Sequence, residues 1–163
     1  PLFFVINRCM ATTSNNIEDW ILNFLSKPNT TFAGLPPCPY AKRALFDDKV
    51  EVHQVSASKL KPKLTHTLKN FPEDKDVVLL CTDPKTISAQ GLESLAISTD
   101  DYIILDDHPA QPEEVNGILL NQGTYAILFV QRRTELEHAR EELAQTDYYK
   151  HFSKEYKDSI IQR

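Results

Sequence analysis

The sequence predicts a layered α/β fold: a mixed, partly parallel sheet with helices packed on it. Two observations carry that reading. From Val50 onward, apolar strand-like runs take turns with segments whose apolar residues repeat at three and four. The order is strand, helix, strand, helix, then three strands and closing helices. Right-handed crossovers between such strands make part of the sheet parallel. The composition agrees: 163 residues, 41% hydrophobic and 25% charged, describe one domain over 1–163 that buries a core without staples.

The elements follow in order. Phe3-Phe-Val-Ile6 is a short apolar strand. Asn16 is placed to cap a helix through Ile17, Trp20, Ile21, Phe24 and Leu25, ended by Lys27-Pro28-Asn29. Trp20 and Phe24 need burial, which directs this helix onto the same sheet. In Gly34-Leu-Pro-Pro-Cys38-Pro39-Tyr40-Ala41 the prolines impose a stiff, extended approach. Pro39 suits a first helical turn, so Tyr40 to Phe46 reads as a short helix with Cys38 at or beside its N-cap. Val50 and Val52 alternate with Glu51 and His53 as a strand, and the alternation breaks at Gln54. Ser58 opens a helix carrying Leu60, Leu64, Leu68 and Phe71, with Pro62 tolerated near its first turn.

Val77 to Cys81 is a continuous apolar run of the kind found in buried central strands. Thr86 to Ile97 reads as a helix weakened by Gly91. Tyr102 to Leu105 is a further strand, ending in Asp106-Asp107-His108-Pro109. Residues 110–116 read as loop or one helical turn. Ile118 to Leu120 and Tyr125 to Val130 flank Asn121-Gln-Gly-Thr124 as a hairpin. Thr134-Glu-Leu-Glu137 has capping-box spacing before Leu136, Ala139, Leu143 and Ala144. Asp147 then starts a last helix through Tyr149, Phe152, Tyr156, Ile160 and Ile161. This 147–163 segment either closes the domain or docks a partner.

Composition also excludes functions. No apolar run approaches the roughly 18 residues of a membrane span, so no membrane association is expected. The start at Pro1 is too short and wrongly flanked for a signal peptide, and its lack of Met predicts a trimmed or processed end. Eighteen Lys and Arg against 23 Asp and Glu give a net charge of −5, which argues against broad binding to nucleic acid. Cys9, Cys38 and Cys81 are odd in number and far apart, with no Cys-x-x-Cys. That pattern fits a reducing, cytoplasmic setting and disfavours zinc. From Thr86 through Gln131 there is no Lys or Arg, while Glu93, Asp100, Asp101, Asp106, Asp107, Glu113 and Glu114 fall there. Folded together they would form one negative surface.

Three groups of residues offer chemistry. Cys38 at a helix start would have its thiolate stabilised by unpaired amides and the dipole. Tyr40 shares its turn, and Lys42 and Arg43 lie one turn on as candidate cations. Cys38, Tyr40 and Arg43 are therefore the candidate catalytic set, set against a plain reading as a rigid proline corner. Cys81 reads as a core cysteine. Asp106, Asp107 and His108 follow a strand's C-terminal end, where sites gather in open α/β sheets. Two carboxylates and an imidazole suit Mg²⁺, Mn²⁺ or Fe²⁺, or an acid–base pair. Neighbours in an extended segment point opposite ways, so at most two share a face, and Glu113 or Glu114 would have to complete a metal shell. Asp106-Asp107-His108-Pro109 is also good turn chemistry. Arg132 and Arg133 precede a helix and offer an anion site or partners for the acidic stretch. His53, His66, His138 and His151 share no spacing motif. No phosphate loop, dinucleotide fingerprint or nucleophile elbow is present.

Cys38-Pro39-Tyr40 resembles the glutaredoxin site, with Ala41 where glutaredoxins carry their second Cys. In that family the Cys directly follows the first strand, whereas here a helix and a proline turn intervene. The strand and helix order after it is loosely thioredoxin-like or ferredoxin-like. Asp19-Trp20, Gly34-Leu35, Cys38-Pro39-Tyr40-Ala41 and Val77 to Leu80 together resemble a family of small proteins with a domain of unknown function. Its pattern is a Trp-bearing helix, a Gly-Leu-x-x-Cys-Pro-Phe/Tyr-Ala turn and α/β alternation. The resemblance directs attention to Cys38 and implies no reaction.

The reading that follows is an accessory or interaction protein without catalysis of its own. It would dock a protein or a second copy through the acidic surface or the aromatic C-terminal helix. It is preferred because no second catalytic group pairs with Cys38. One alternative is a monothiol redox or sulfur-transfer protein using Cys38, with a small thiol as co-substrate. Another is a metal-dependent enzyme using Asp106, Asp107 and His108.

Overall fold

The computed structural model describes residues 13–161. The expected strand Phe3–Ile6, and Cys9, lie outside the described residues. The sheet has four strands: β1 (Val50–Gln54), β2 (Val77–Thr82), β3 (Tyr102–Asp107) and, later in the chain, β6 (Ala126–Arg132). Their order across the sheet is β1-β2-β6-β3. β1 and β2 are parallel, with Val52 beside Leu79, and β6 is antiparallel to both β2 and β3. The result is the expected mixed, partly parallel α/β sheet.

The alternation of side chains along these strands makes two cores. On one face Val78, Leu80, Ile104, Leu128 and Val130 pack with Leu60, Leu64 and Leu92. The last three come from α3 (Ala57–Lys69) and α4 (Ala89–Glu93). On the other face Leu79, Cys81 and Ile127 pack with Ile17 and Ile21 of α1, which is α-helical over 13–20 and π-helical over Ile21–Leu25. α2 (Ala41–Phe46) adds Ala41 and Leu45 there. A third cluster joins Phe32, Val115, Tyr148 and Phe152 beside this second face.

Several expectations need correction. Asn16 does not cap α1. Residues 13–15 are already helical, and its Nδ2 donates to the Tyr125 hydroxyl at 2.9 Å. α3 has Ser56, not Ser58, at its N-cap position. The expected helix over Thr86 to Ile97 shrinks to α4. The Ser88 hydroxyl accepts the Gly91 amide at its start, and Ser94 donates to the Gly91 carbonyl at its end.

The expected hairpin between Ile118 and Val130 is not formed. β5 (Ile118–Leu119) pairs instead with β4 (Glu114–Val115). Asn116 and Gly117 turn between them with φ of 48° and 84°. Asn-Gly is the pair that a tight two-residue hairpin favours, and that signal lay in the segment read as loop.

α5 (Arg133–Ala144) starts one residue before Thr134, with no side-chain cap, so the capping box does not form. Its start is braced by arginines instead. The Arg133 guanidinium donates to the carbonyls of Thr99 and Asp100, and that of Arg132 to those of Pro72 and Lys75 while lying over the Phe71 ring. Neither arginine is left for the anion role. The last helix is also shorter than expected. α6 is Lys154–Ile161, opened by the Ser153 hydroxyl, which accepts the Tyr156 amide. Residues 145–152 form turns, pinned where Thr146 Oγ1 donates to the Leu143 carbonyl and accepts the Tyr148 amide. No helix among the described residues is long and apolar enough to cross a membrane.

Candidate functional site

A cavity of about 340 Å³ opens on the α1 face of the sheet, over β6 and β3. Its floor is Leu105 of β3 with Phe129 and Gln131 of β6. The antiparallel pairing sets Leu105 beside Phe129, so both project to this face. Trp20 and Leu25 form the α1 wall, with the Trp20 ring 6.3 Å from that of Phe129. The Trp20 indole N–H is buried and has no acceptor among the described residues. Leu136, Ala139, Arg140 and Leu143 of α5 make a second wall. The 145–152 turns and α6 add Tyr148, Tyr149, Phe152 and Tyr156. Their rings form a continuous stack, edge to face between Tyr148 and Tyr149 at 4.9 Å and between Phe152 and Tyr156 at 5.4 Å. Phe32, fully buried, anchors this stack at 5.5 Å from Tyr148.

The proline turn carries Cys38 and Tyr40 into the same cavity. The Cys38 amide donates to the Leu25 carbonyl at 3.0 Å, tying the turn to α1, and the Tyr148 hydroxyl donates to the Pro37 carbonyl. The backbone amides of Tyr40 and Ala41 reach the Cys38 sulfur, as a helix start should provide. Burial of the sulfur nevertheless outweighs them and pushes the thiol above its ordinary value. This corrects the expectation of an exposed, acidic thiol. The residue is half-buried overall, but the sulfur itself is enclosed by protein.

The cations expected to help, Lys42 and Arg43, do not line this cavity. Arg43 is exposed and pairs with Asp47 at 3.2 Å, and Lys42 lies over the Phe46 ring. Tyr40 donates to Glu142 Oε2 at 2.7 Å, and burial together with that carboxylate pushes its hydroxyl up to about 12. Cys38 and Tyr40 therefore meet in this cavity without Arg43, which lines a neighbouring pocket together with both of them while its guanidinium turns to Asp47. Cys81 is the core residue expected, fully buried and pushed up to about 12 by desolvation and the nearby Asp107 charge.

Asp106, Asp107 and His108 border one pocket together with Glu113 and Glu114, but they do not converge as a metal site. Asp106 pairs with Leu128 and Asp107 with Ile127, so their side chains leave opposite faces of the sheet. His108 is buried with both ring nitrogens engaged. Nδ1 accepts the Ala110 amide at 3.0 Å, which leaves Nε2 to donate to the Ile87 carbonyl at 2.9 Å. That is a structural histidine with no lone pair for a metal. Among the described residues no group of three His, Cys, Asp or Glu is placed to hold a metal ion.

Asp107 is the member on the cavity side. It accepts from Asn121 Nδ2 at 2.6 Å and from the Gln122 amide at 2.9 Å. Burial raises its carboxyl above the usual range in spite of those bonds, and the Glu113 and Asp106 charges add to the rise. Glu113, on the β4 arm, accepts from the Tyr156 hydroxyl at 2.8 Å and also lines the cavity.

The seven acids of 86–131 do not form one surface. Asp100 and Asp101 precede β3 while Asp106 and Asp107 end it, roughly 16 Å apart by strand rise. The aromatic walls were seen in the sequence as a helix face. What was missed is that these residues meet Cys38 and Asp107. That meeting depends on the β4–β5 hairpin and the 145–152 turns, neither of which was expected. Comparison with family models, with characterised proteins and with solved structures finds no match to this chain.

Proposed function

We propose that this protein is a binding protein without catalysis of its own, and that the aromatic cavity is its receptor for a small, largely apolar ligand. The observation that carries this reading is the cavity itself. At about 340 Å³ it lies within the range of small-molecule pockets. Its walls are mainly rings and aliphatic side chains, with few polar groups. The Cys38 thiol is not activated: burial of its sulfur outweighs the Tyr40 and Ala41 amides. The carboxylates and His108 do not converge on a metal position. Docking of a protein through the C-terminal aromatic face is disfavoured, because Tyr148 and Phe152 are spent inside the fold.

The chain has a single tryptophan, and it lines the cavity. Binding is therefore readable without a label. Titration with the uncharged dye N-phenyl-1-naphthylamine is expected to give saturable dye fluorescence with energy transfer from Trp20. One equivalent should bind, and Ala139→Phe, which fills the space, should abolish it. No saturable binding up to the solubility of the dye overturns the reading.

A further inference from the structure

The polar groups of the cavity carry a sign. Four residues bearing formal charge line it: Asp106, Asp107, Glu113 and Arg140, with the Asp106 side chain turned to the opposite face of the sheet. Arg140 is engaged, with its charge lying against Tyr149. The Asp107 and Glu113 carboxylates lie near enough for the Glu113 charge to act on Asp107, and the 86–131 stretch that carries both has no Lys or Arg. Around them stand Trp20, Phe129, Tyr148, Tyr149, Phe152 and Tyr156. Ring faces present negative potential and attract cations, most strongly when water is excluded. The whole chain, at −5, favours approach of a cation as well.

We propose that the ligand of this cavity is an organic cation: an ammonium group on a small hydrocarbon body. The ammonium would lie toward Glu113 and Asp107, and the hydrocarbon against the rings. This inference rests on the cavity being a ligand site. A cation there neutralises two carboxylates that otherwise repel each other in a poorly hydrated space, which an uncharged or anionic ligand of the same shape does not do. Rejection of such ligands follows from the same charges.

The test compares benzyltrimethylammonium with neopentylbenzene, its uncharged isostere, and with 3-phenylpropionate. Each is titrated against Trp20 fluorescence and against displacement of N-phenyl-1-naphthylamine. The cation is expected to bind about tenfold or more tightly than the isostere, with the anion weakest. Glu113→Gln, which keeps an acceptor for Tyr156, should remove most of that preference. Equal binding of cation and isostere, or stronger binding of the anion, overturns the cation class and leaves the cavity reading standing. Failure of the dye and of all three probes overturns both. The wild-type comparison needs no variant, so a Glu113→Gln protein that folds poorly does not shelter the proposal.

Discussion

The two faces of the sheet are built from the same strands and do different work. On one face Leu80, Leu128 and Val130 meet α3 and α4, the helices of the short crossovers between β1, β2 and β3. A crossover helix lies back over the strands it joins, so this face closes with neighbours in sequence. The other face is covered by α1, the proline turn, α5 and the C-terminal turns, which come from both ends of the described chain. Such segments meet as independent bodies, and over β6 and β3 they leave a cavity. β6 shows the contrast within one strand. Leu128 and Val130 are fully buried in the first core, while Phe129 and Gln131 between and beyond them floor the cavity. The proposed ligand site lies where closure is non-local.

The sharpest way to break that comparison is a pair of truncations. Leu128→Ala removes a fully buried side chain from the dense face and should cost roughly 3–5 kcal/mol. Leu143→Ala widens a space that already exists, so no new void forms around a close-packed wall. Its cost should stay near 1 kcal/mol, in the range of the lost transfer energy alone. Urea unfolding monitored by far-UV circular dichroism measures both. Equal losses would mean that the cavity face is as tightly packed as the other.

What could be read from the sequence divides along the same line. The Val77–Cys81 strand, the Leu60 and Leu64 helix face and the order of strands were legible, because each is a local period that burial on the crossover face rewards. The cavity face was legible only in pieces. Cys38 with Tyr40, Trp20, the C-terminal aromatics and Asp107 were each singled out. Their meeting was hidden, since it needs chain segments roughly 100 residues apart in sequence, a separation no periodicity encodes. Two local signals misled. Asn121-Gln-Gly-Thr124 resembles a hairpin turn, but the Asn121 side chain is taken by Asp107 and the Glu113 amide. Thr134-Glu-Leu-Glu137 has the capping spacing, but Arg133 already enters the helix, fixed by carbonyls of residues 99–100. In both, a long-range partner took the polar group that the local motif required.

The resting state of Cys38 sharpens the comparison at an intermediate scale. A thiol at an exposed helix start reacts faster than an ordinary cysteine, whereas a desolvated thiol in an aromatic wall reacts more slowly. The second is expected here. Alkylation by iodoacetamide at pH 7, resolved by mass spectrometry, should be several-fold slower at Cys38 in the folded protein than at Cys38 in the urea-unfolded chain. The cavity dye should slow it further. A folded-state rate above the unfolded one would mean that the Tyr40 and Ala41 amides outweigh burial, and would return the monothiol reading.

The smallest effect comes from Asp107, the group through which the cavity face should feel pH. Its folded carboxyl titrates above the ordinary range because burial and the Glu113 and Asp106 charges disfavour the anion. The native state therefore holds the Asp107 proton to higher pH than the unfolded chain does. Stability from this group falls as pH rises from the unfolded carboxylate range through the raised folded value. Asp107→Asn removes the titration and keeps one acceptor for the Asn121 and Gln122 donors. The wild type should thus gain on the variant as pH is lowered through the raised folded value toward the ordinary carboxylate range, with the two curves running parallel well above the folded value. An organic cation bound beside the carboxylate favours its anion, so saturating benzyltrimethylammonium should shift that gain to lower pH. Paired urea titrations across this window, with and without the cation, read both effects. A wild-type stability that falls relative to Asp107→Asn on acidification would mean that the Asn121 and Gln122 donors dominate the carboxylate, and that this side of the cavity stabilises an anion without help from a ligand.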